Sequence, residues 1–140
     1  MTLSVSLGNW EQQMAAARAV RLQVFVIEQC VPIELEWDEM DAPSLHAVAV
    51  LATGEVVGTG RLLPDGHIGR MAVVANARGT GIGSLLLASL IRAAILRGDT
   101  CVRLSAQLHA KNFYIRHGFV TEGEEYVEAG IIHIGMLRLL

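Results

Sequence analysis

The 140-residue chain is poor in cysteine, and its two thiols follow no recognisable pattern. Cys30 and Cys101 lie far apart, and neither belongs to a metal-ligand motif. Reduced, partly buried thiols are therefore expected rather than a disulfide. The five histidines and the acidic residues also show no tight ligand spacing, so no metal is predicted.

The chain has no excess of positive charge. Its 11 Lys and Arg residues are outnumbered by 14 Asp and Glu residues, which gives a formal net charge of -3. This balance offers no general basic surface for nucleic acid, and it fits a cationic partner better.

Long apolar runs are also missing. No stretch approaches the roughly 18 uninterrupted apolar residues of a membrane helix, and the N-terminus has neither a basic lead nor an apolar signal core. We therefore expect no membrane association and a cytoplasmic location. Because 52% of the residues are hydrophobic, the chain is too apolar for disorder. Its length suits one domain over residues 1–140.

Apolar periodicity and turn residues predict an alternation of strands and helices. The predicted strands are residues 3–7, His46–Leu51, Val56–Leu63, His67–Val74, Cys101–Ala106, Val120–Tyr126 and His133–Leu140. The predicted helices run from Trp10 to about Ile27, over Gly83–Arg97 and over His109–His117, and an irregular acidic connection spans Glu28–Ser44. The order β-α-βββ-α-β-α-ββ predicts an α/β (α+β) domain. Its mixed, mostly antiparallel sheet of about seven strands would carry helices on both faces.

The most informative segment is the glycine-rich loop between the third predicted hairpin strand and the long helix. It reads Arg78-Gly79-Thr80-Gly81-Ile82-Gly83-Ser84. Glycines at alternate positions let the backbone approach a ligand closely. Amides at the start of a helix are unpaired, and the helix dipole adds positive potential, so the loop predicts an anion site. The charge of Arg78 favours a pyrophosphate.

Other phosphate loops fit less well. A Walker loop would need Gly-Lys-Ser/Thr at its end, whereas Gly83 is followed by Ser84 and Leu85. A dinucleotide fingerprint would need glycine at position 84 inside a βαβ unit. A simple turn joining strand to helix, or a site for another nucleotide phosphate, stays open on glycine spacing alone.

The loop resembles the Arg/Gln-x-x-Gly-x-Gly/Ala signature of the GNAT N-acyltransferase superfamily. The resemblance implies the GNAT fold, acetyl-CoA (coenzyme A) as co-substrate and a pyrophosphate held by the loop amides. The preceding strand, here Met71, Ala72 and Val73, would splay from its neighbour and pair with the pantetheine arm. By the same resemblance Tyr114 matches the tyrosine that protonates the departing thiolate, and Asn112 the residue that hydrogen-bonds the pantetheine.

A narrower resemblance is to the ElaA-like branch of that superfamily. The residues that carry it are Val24-Phe25-Val26-Ile27-Glu28-Gln29, Asn112-Phe113-Tyr114 and Gly130-Ile131-Ile132-His133-Ile134-Gly135-Met136. The chain departs from the branch at Ile132, where a proline is usual.

The general base is not fixed by the sequence. Candidates are Glu28, His133, His46 and Glu128, or a water held by one of them. Glu28 follows an apolar helix, where partial burial would raise the pKa of its carboxyl group. His133 begins an apolar strand, a setting in which a structural histidine is the commoner case.

The acidic connection is a candidate acceptor site. Its acids are Glu34, Glu36, Asp38, Glu39 and Asp41. They would attract a cationic amine, or they would form an ordinary solvated loop. The aromatic ring of Trp37 is expected to bury itself or to stack on a neighbour.

These features together predict an N-acetyltransferase. It would move an acetyl group from acetyl-CoA to a primary amine of a small molecule or peptide, by direct attack in a ternary complex. The alternative is a non-catalytic acyl-CoA-binding module. Apolar edge strands near both chain ends make a homodimer a further expectation.

Overall fold

The computed structural model describes residues 3–140 and contains one seven-stranded sheet. The strands are β1 (Leu3–Gly8), β2 (Leu45–Leu51), β3 (Val56–Leu62), β4 (His67–Val73), β5 (Cys101–Gln107), β6 (Val120–Glu128) and β7 (Ile131–Leu139). Their spatial order is β1-β2-β3-β4-β5-β7-β6, and every neighbouring pair is antiparallel except β4 and β5. The predicted mixed, mostly antiparallel sheet is confirmed.

Within residues 3–140, four α-helices accompany the sheet: α1 (Trp10–Arg21), α2 (Ile33–Glu36), α3 (Ile82–Arg97) and α4 (Lys111–Arg116). Helix α1 begins at a capping box, in which the Asn9 side chain accepts a hydrogen bond from the Gln12 amide and the Gln12 side chain accepts one from the Asn9 amide. Beyond Arg21 the chain continues as a π-helical segment over Leu22–Glu28. Such wide turns often occur at functional sites.

Helices pack on both faces of the central strand β3. A Cβ atom added at Gly58 would lie 2.8 Å from the Leu86 side chain, so the small residues of β3 admit α3. On the other face Arg61 lies toward α1, where it shares the carboxylate of Asp41 with Arg21. Helices therefore cover both faces, as predicted.

The parallel strands β4 and β5 separate after a short shared stretch. They pair only at His67 with Arg103 and Ile68 with Leu104. Beyond these pairs, residues 69–73 on one side and Ser105 and Gln107 on the other line an open space, the β4–β5 gap. The splayed strand implied by the family resemblance is therefore present.

A bulge in β4 accompanies the separation. Thr59 of β3 pairs with Ala72, and Arg61 pairs with Gly69, which leaves two residues of β4 opposite one of β3. The first of these two residues, Arg70, has a φ of 51°. Left-handed backbone is strained for a residue with a side chain, and such strain concentrates at functional sites.

Two sequence-based boundaries were wrong at the last hairpin. Strand β6 extends to Glu128 and β7 begins at Ile131, because Ala129 and Gly130 form a two-residue turn with φ values of 51° and 77°. Strand β6 is exposed along its length, so its residues show no apolar alternation from which its end could be located. Ile132 lies within β7 opposite Val127.

The acidic connection is held to the sheet by buried ion pairs. Arg21, 1% exposed, donates from Nε to Glu36 at 2.6 Å and from Nη1 to Asp41 at 2.7 Å. Arg61 donates to Asp38 at 2.6 Å and to Asp41 at 2.9 Å. Three of the five acids that could have attracted a cationic amine are therefore neutralised within the protein. Attraction of an amine, one of the two alternatives, therefore does not hold for these three, because arginines of α1 and β3, 15 to 23 positions away in sequence, already pair with them.

Trp37 stacks as expected. The guanidinium of Arg21 lies 5.2 Å from the Trp37 ring centroid and 5.5 Å from that of Trp10, in the range of cation–π attraction. The buried charge of Arg21 is therefore stabilised by two carboxylates and two aromatic rings.

Two sequence expectations concern cysteine and membranes. Neither Cys30, which is exposed, nor Cys101, which is half-buried, forms a disulfide.

Among the helices of residues 3–140, none is long and apolar enough to cross a bilayer. The expected homodimer stays a prediction.

Replacing Arg21 by Leu should destabilise the fold by about 3–5 kcal/mol, because the buried carboxylates of Glu36 and Asp41 each lose one of their cationic partners. Chemical denaturation measures the change. Asp99→Asn is the matched control. It breaks the Arg97–Asp99 pair at the protein surface and should cost about 1 kcal/mol or less. Equal losses in the two variants would contradict the account.

Candidate active site

Two cavities adjoin at the end of β4. The larger, about 810 Å³, occupies the β4–β5 gap beneath the π-helical segment. The smaller, about 320 Å³, lies at the start of α3. Val73 and Arg78 line both cavities, so a long ligand could occupy the two together.

The glycine loop presents a row of unused amides to the smaller cavity. Within residues 3–140, the amides of residues 79–84 donate no hydrogen bond to a protein acceptor; the first amide of α3 that does so is Leu85, bonded to Gly81 O at 3.1 Å. Gly79 and Gly81 have φ values of 78° and 86°, and such backbone favours glycine. Unused amides at a helix start, with its dipole, form an anion site.

Other side chains complete the smaller cavity. Phe113 packs against Gly83, where an added Cβ atom would lie 3.4 Å from its ring. Ser84 Oγ lies 3.0 Å from His117 Nε2. Arg116, at the end of α4, also lines the cavity. The sequence reasoning missed Arg116. The sequence shows only a basic residue two positions after Tyr114. That Arg116 could contact a ligand becomes visible once the fold places α4 beside the loop.

The side chain of Arg78 is engaged within the protein. Its Nη1 and Nη2 atoms each donate to Glu28 at 2.7 Å, and its Nε donates to Val73 O at 2.9 Å. The positive charge expected at the rim for a pyrophosphate is thus matched by a carboxylate. In turn, the hydrogen bonds from Arg78 lower the pKa of Glu28. The expected rise was wrong, because Glu28 is exposed rather than buried.

Tyr114 lies between apolar rings at the larger cavity. It is 9% exposed and makes edge-to-face contacts with Phe113 and Phe119. Burial raises the pKa of Tyr114 to about 12. Its hydroxyl group therefore keeps its proton throughout the neutral range and can act as a hydrogen-bond donor.

His133 has a defined tautomer. Its Nδ1 lies 2.7 Å from Ile131 O, and because a carbonyl oxygen only accepts, Nδ1 must carry a proton. In the neutral ring Nε2 then keeps its lone pair. Nε2 lies 4.0 Å from Glu128 Oε2, and both residues line the larger cavity with Met71, Ala72 and Val73.

Two predicted candidates lie elsewhere. His46 is buried against Trp10, and its Nε2 donates to Asp41 O at 2.8 Å. It lines neither cavity and is not available as a base there. Asn112 is on the exposed side of α4 and also lines neither cavity. Its assignment to the pantetheine rests on resemblance alone.

Metal chemistry has no candidate centre in the part of the chain that the structure describes. Residues 3–140 contain no group of three or more His, Cys, Asp and Glu side chains placed to hold an ion.

Comparison with known proteins identifies the family. Residues 11–140 match the family model described as the acetyltransferase (GNAT) domain. The chain belongs to the GNAT acetyltransferase family. Over 132 residues it is 38% identical to the uncharacterized N-acetyltransferase YjcF of Bacillus subtilis strain 168, covering 91% of this chain and 94% of that protein.

Solved structures agree with this membership. An acyl-CoA N-acyltransferase from Pseudomonas aeruginosa, 35% identical, superposes with a TM-score of 0.87 over 98% of this chain and 99% of that one. Escherichia coli ElaA gives the same TM-score at 30% identity, with the same coverage. The GNAT assignment and the ElaA-like branch are confirmed, and membership supports an acyl-CoA-dependent N-acyltransferase.

Around this GNAT site, pairs of polar residues had escaped the sequence reasoning. Gln29 and Gln107 exchange two side-chain hydrogen bonds across the larger cavity. The hydroxyl groups of Ser105 and Tyr126 also bond to each other. The register of β5, β6 and β7 brings Ser105 and Tyr126 together, whereas Gln29 reaches Gln107 from the end of the π-helical segment.

The raised pKa of Tyr114 predicts a pH effect on stability. Between about pH 10 and 12 the phenol of the unfolded chain ionises while the folded one stays neutral, so the free energy of unfolding falls as pH rises. At about pH 11 this group alone should remove roughly 1 kcal/mol relative to about pH 8. Denaturation of Tyr114→Phe should lack this component. An equal loss in both proteins would show that Tyr114 titrates normally.

Proposed function

We propose that the chain transfers an acetyl group from acetyl-CoA to a primary amine of a small molecule or peptide, with both substrates bound together. The observation that carries the proposal is the row of unused amides over residues 79–84 beside the β4–β5 gap. A pyrophosphate in the smaller cavity and a thioester in the larger one would use both features. Membership of the GNAT family supports the acyl-CoA donor.

The residues proposed to hold the donor fall into two sets. The loop, Arg78, Gly79, Thr80, Gly81, Ile82, Gly83 and Ser84, would hold the pyrophosphate through its backbone, with Arg116 adding a positive charge. Met71, Ala72 and Val73 would lie along the pantetheine. Because Arg78 is already paired with Glu28, the positive potential at the loop comes mainly from the unused amides and the helix dipole.

We assign the general base to His133 rather than Glu28. The Nε2 atom of His133 carries a lone pair at the cavity, and Glu128 nearby would stabilise the imidazolium ion that forms. In contrast, the carboxylate of Glu28 already accepts two hydrogen bonds from Arg78, and its lowered pKa makes it a poor proton acceptor.

Tyr114 would act on the leaving group. Acetyl-CoA supplies a thioester carbonyl that an amine can attack, with a thiolate as leaving group. The Tyr114 hydroxyl would donate a hydrogen bond to that sulfur. Its pKa of about 12 lies above the pKa of roughly 8.5 of an ordinary thiol, so complete proton transfer from Tyr114 would be uphill. His133 takes a proton from the amine and releases it to solvent, and the departing thiolate takes up a proton from solvent.

The acceptor should be cationic before it reacts. Of the three carboxylates that line the larger cavity, Glu28 is paired with Arg78 and Glu36 with Arg21. Among residues 3–140, Glu128 has only His133 as an ion-pair partner, at 4.0 Å. One unmatched negative charge at the cavity favours an ammonium group over an acidic acceptor. This role replaces the one expected for the acidic connection.

The donor-binding role is tested with two glycines of similar conformation. Gly81 and Gly54 have φ values of 86° and 89°, and neither has an atom within 4 Å of an added Cβ. Alanine at either position should lower stability by about 1–2 kcal/mol through backbone strain alone. Only Gly81→Ala should also weaken acetyl-CoA binding, measured by calorimetry. Unchanged affinity in Gly81→Ala would remove the loop from the binding site.

The catalytic role is tested with His133→Ala. The variant should bind acetyl-CoA normally but lose about a hundredfold or more in kcat on an amine panel, since a general base contributes that much. Added imidazole should restore part of the rate by occupying the space of the lost ring. The control is His67→Ala, at an exposed position paired with Asp65.

Two outcomes would contradict the assignments. Full activity of His133→Ala would exclude His133 as the base. Tight acetyl-CoA binding by the wild-type protein without turnover on any amine would favour the alternative, a non-catalytic acyl-CoA-binding module.

A further inference from the structure

Two consecutive residues, Glu28 and Gln29, connect the π-helical segment to opposite sides of the β4–β5 gap. Glu28 ends the segment and Gln29 follows it directly. Their side chains bond in different directions, Glu28 toward the end of β4 and Gln29 toward the end of β5. The pair therefore spans the gap at the larger cavity.

The connection to β4 passes through Arg78. Its guanidinium joins the two carboxylate oxygens of Glu28, at 2.7 Å each, to the carbonyl oxygen of Val73 at 2.9 Å. A bidentate arginine–carboxylate pair fixes orientation as well as distance. The end of the π-helical segment is thus held against the last residue of β4.

The connection to β5 is a reciprocal amide pair. Gln29 Nε2 donates to Gln107 Oε1 at 3.1 Å, and Gln107 Nε2 donates to Gln29 Oε1 at 2.8 Å. Gln107 is the last residue of β5, and on its other side it pairs with His133 of β7. The amide pair thus reaches the strand next to the proposed base.

Little else joins the two strands at this end of the gap. The register pairs of β4 and β5 stop at Ile68 and Leu104. The segment's own final backbone bonds, from Gln29 N to Val24 O and from Val31 N to Phe25 O, stay within residues 24–31. Val24 and Phe25 anchor the start of the segment in the hydrophobic core, whereas its end over the cavity is held in the described structure by the side-chain bonds of Glu28 and Gln29.

We propose that Glu28 and Gln29 form a clasp, defined by their bonds to Arg78 and Gln107, that positions the π-helical segment as the acceptor-side wall of the cavity. The four residues are positioning residues. With the wall fixed, the amine meets a preformed site and binds without first having to order the segment. This inference rests on the proposed acetyltransferase function.

The amide pair is the better half to test, because it contacts no residue of the glycine loop. Gln29→Ala and Gln107→Ala should each raise the KM for the amine acceptor about fivefold, the effect of roughly one lost neutral hydrogen bond. The double variant should be no worse than either single one, because both remove the same pair. The Kd for acetyl-CoA should stay within about twofold, since the amides of residues 79–84 are untouched.

The matched control is Gln13→Ala. Gln13 also uses its amide nitrogen to join two elements, bonding to Ser6 O at 3.2 Å and Ser6 Oγ at 3.1 Å. It lines neither cavity, so its loss should leave the acceptor KM unchanged. A fivefold rise in this control would show that the kinetic effect follows general loosening of the fold.

A second readout does not depend on turnover. Hydrogen exchange of the amides in residues 24–31 should accelerate in the Gln29→Ala/Gln107→Ala double variant and stay at the wild-type rate in Gln13→Ala. If the wild-type protein acetylates no amine, the proposed function fails while the exchange experiment still tests the clasp. Wild-type exchange in residues 24–31, or additive KM effects of the two single variants, would overturn the inference.

Discussion

The structure depends functionally on backbone amides that the fold leaves without partners. At the start of α3, residues 79–84 turn through two left-handed glycines, and within the described chain their N–H groups meet no protein acceptor. Unmet donors are costly unless water or a ligand satisfies them. Gly79, Thr80 and Gly81 are exposed, so a phosphate can replace water there at little structural cost, and the charge of Arg78 stays available to hold Glu28.

The larger cavity depends on the strand that leads into this loop. Strand β4 leads into it, and the bulge at Arg70 accompanies the separation of β4 from β5. The carboxylates and carbonyls around Arg70 come from the acidic connection, which Arg21 and Arg61 hold in place. A buried ion cluster thus supports a strained backbone position at the cavity, an arrangement typical of functional sites.

Local signals in the sequence predicted the fold well. The Asn9 cap, the apolar helix α3 and the hairpin turns each depend on neighbouring residues, and all lie near their predicted positions. The site was harder, because its decisive contacts join distant residues. No local pattern links Glu28 to Arg78, 50 positions away, or Gln29 to Gln107, 78 positions away. For that reason Glu28 looked like a base with a raised pKa.

The central claim, that the amides of residues 79–84 bind the pyrophosphate of acetyl-CoA, is tested most directly by NMR titration of the labelled protein. The account predicts that these amides shift strongly and exchange more slowly with solvent once acetyl-CoA is added, and that coenzyme A without its acetyl group has the same effect on them. Binding that shifts other regions while the amides of residues 79–84 stay unchanged would contradict it.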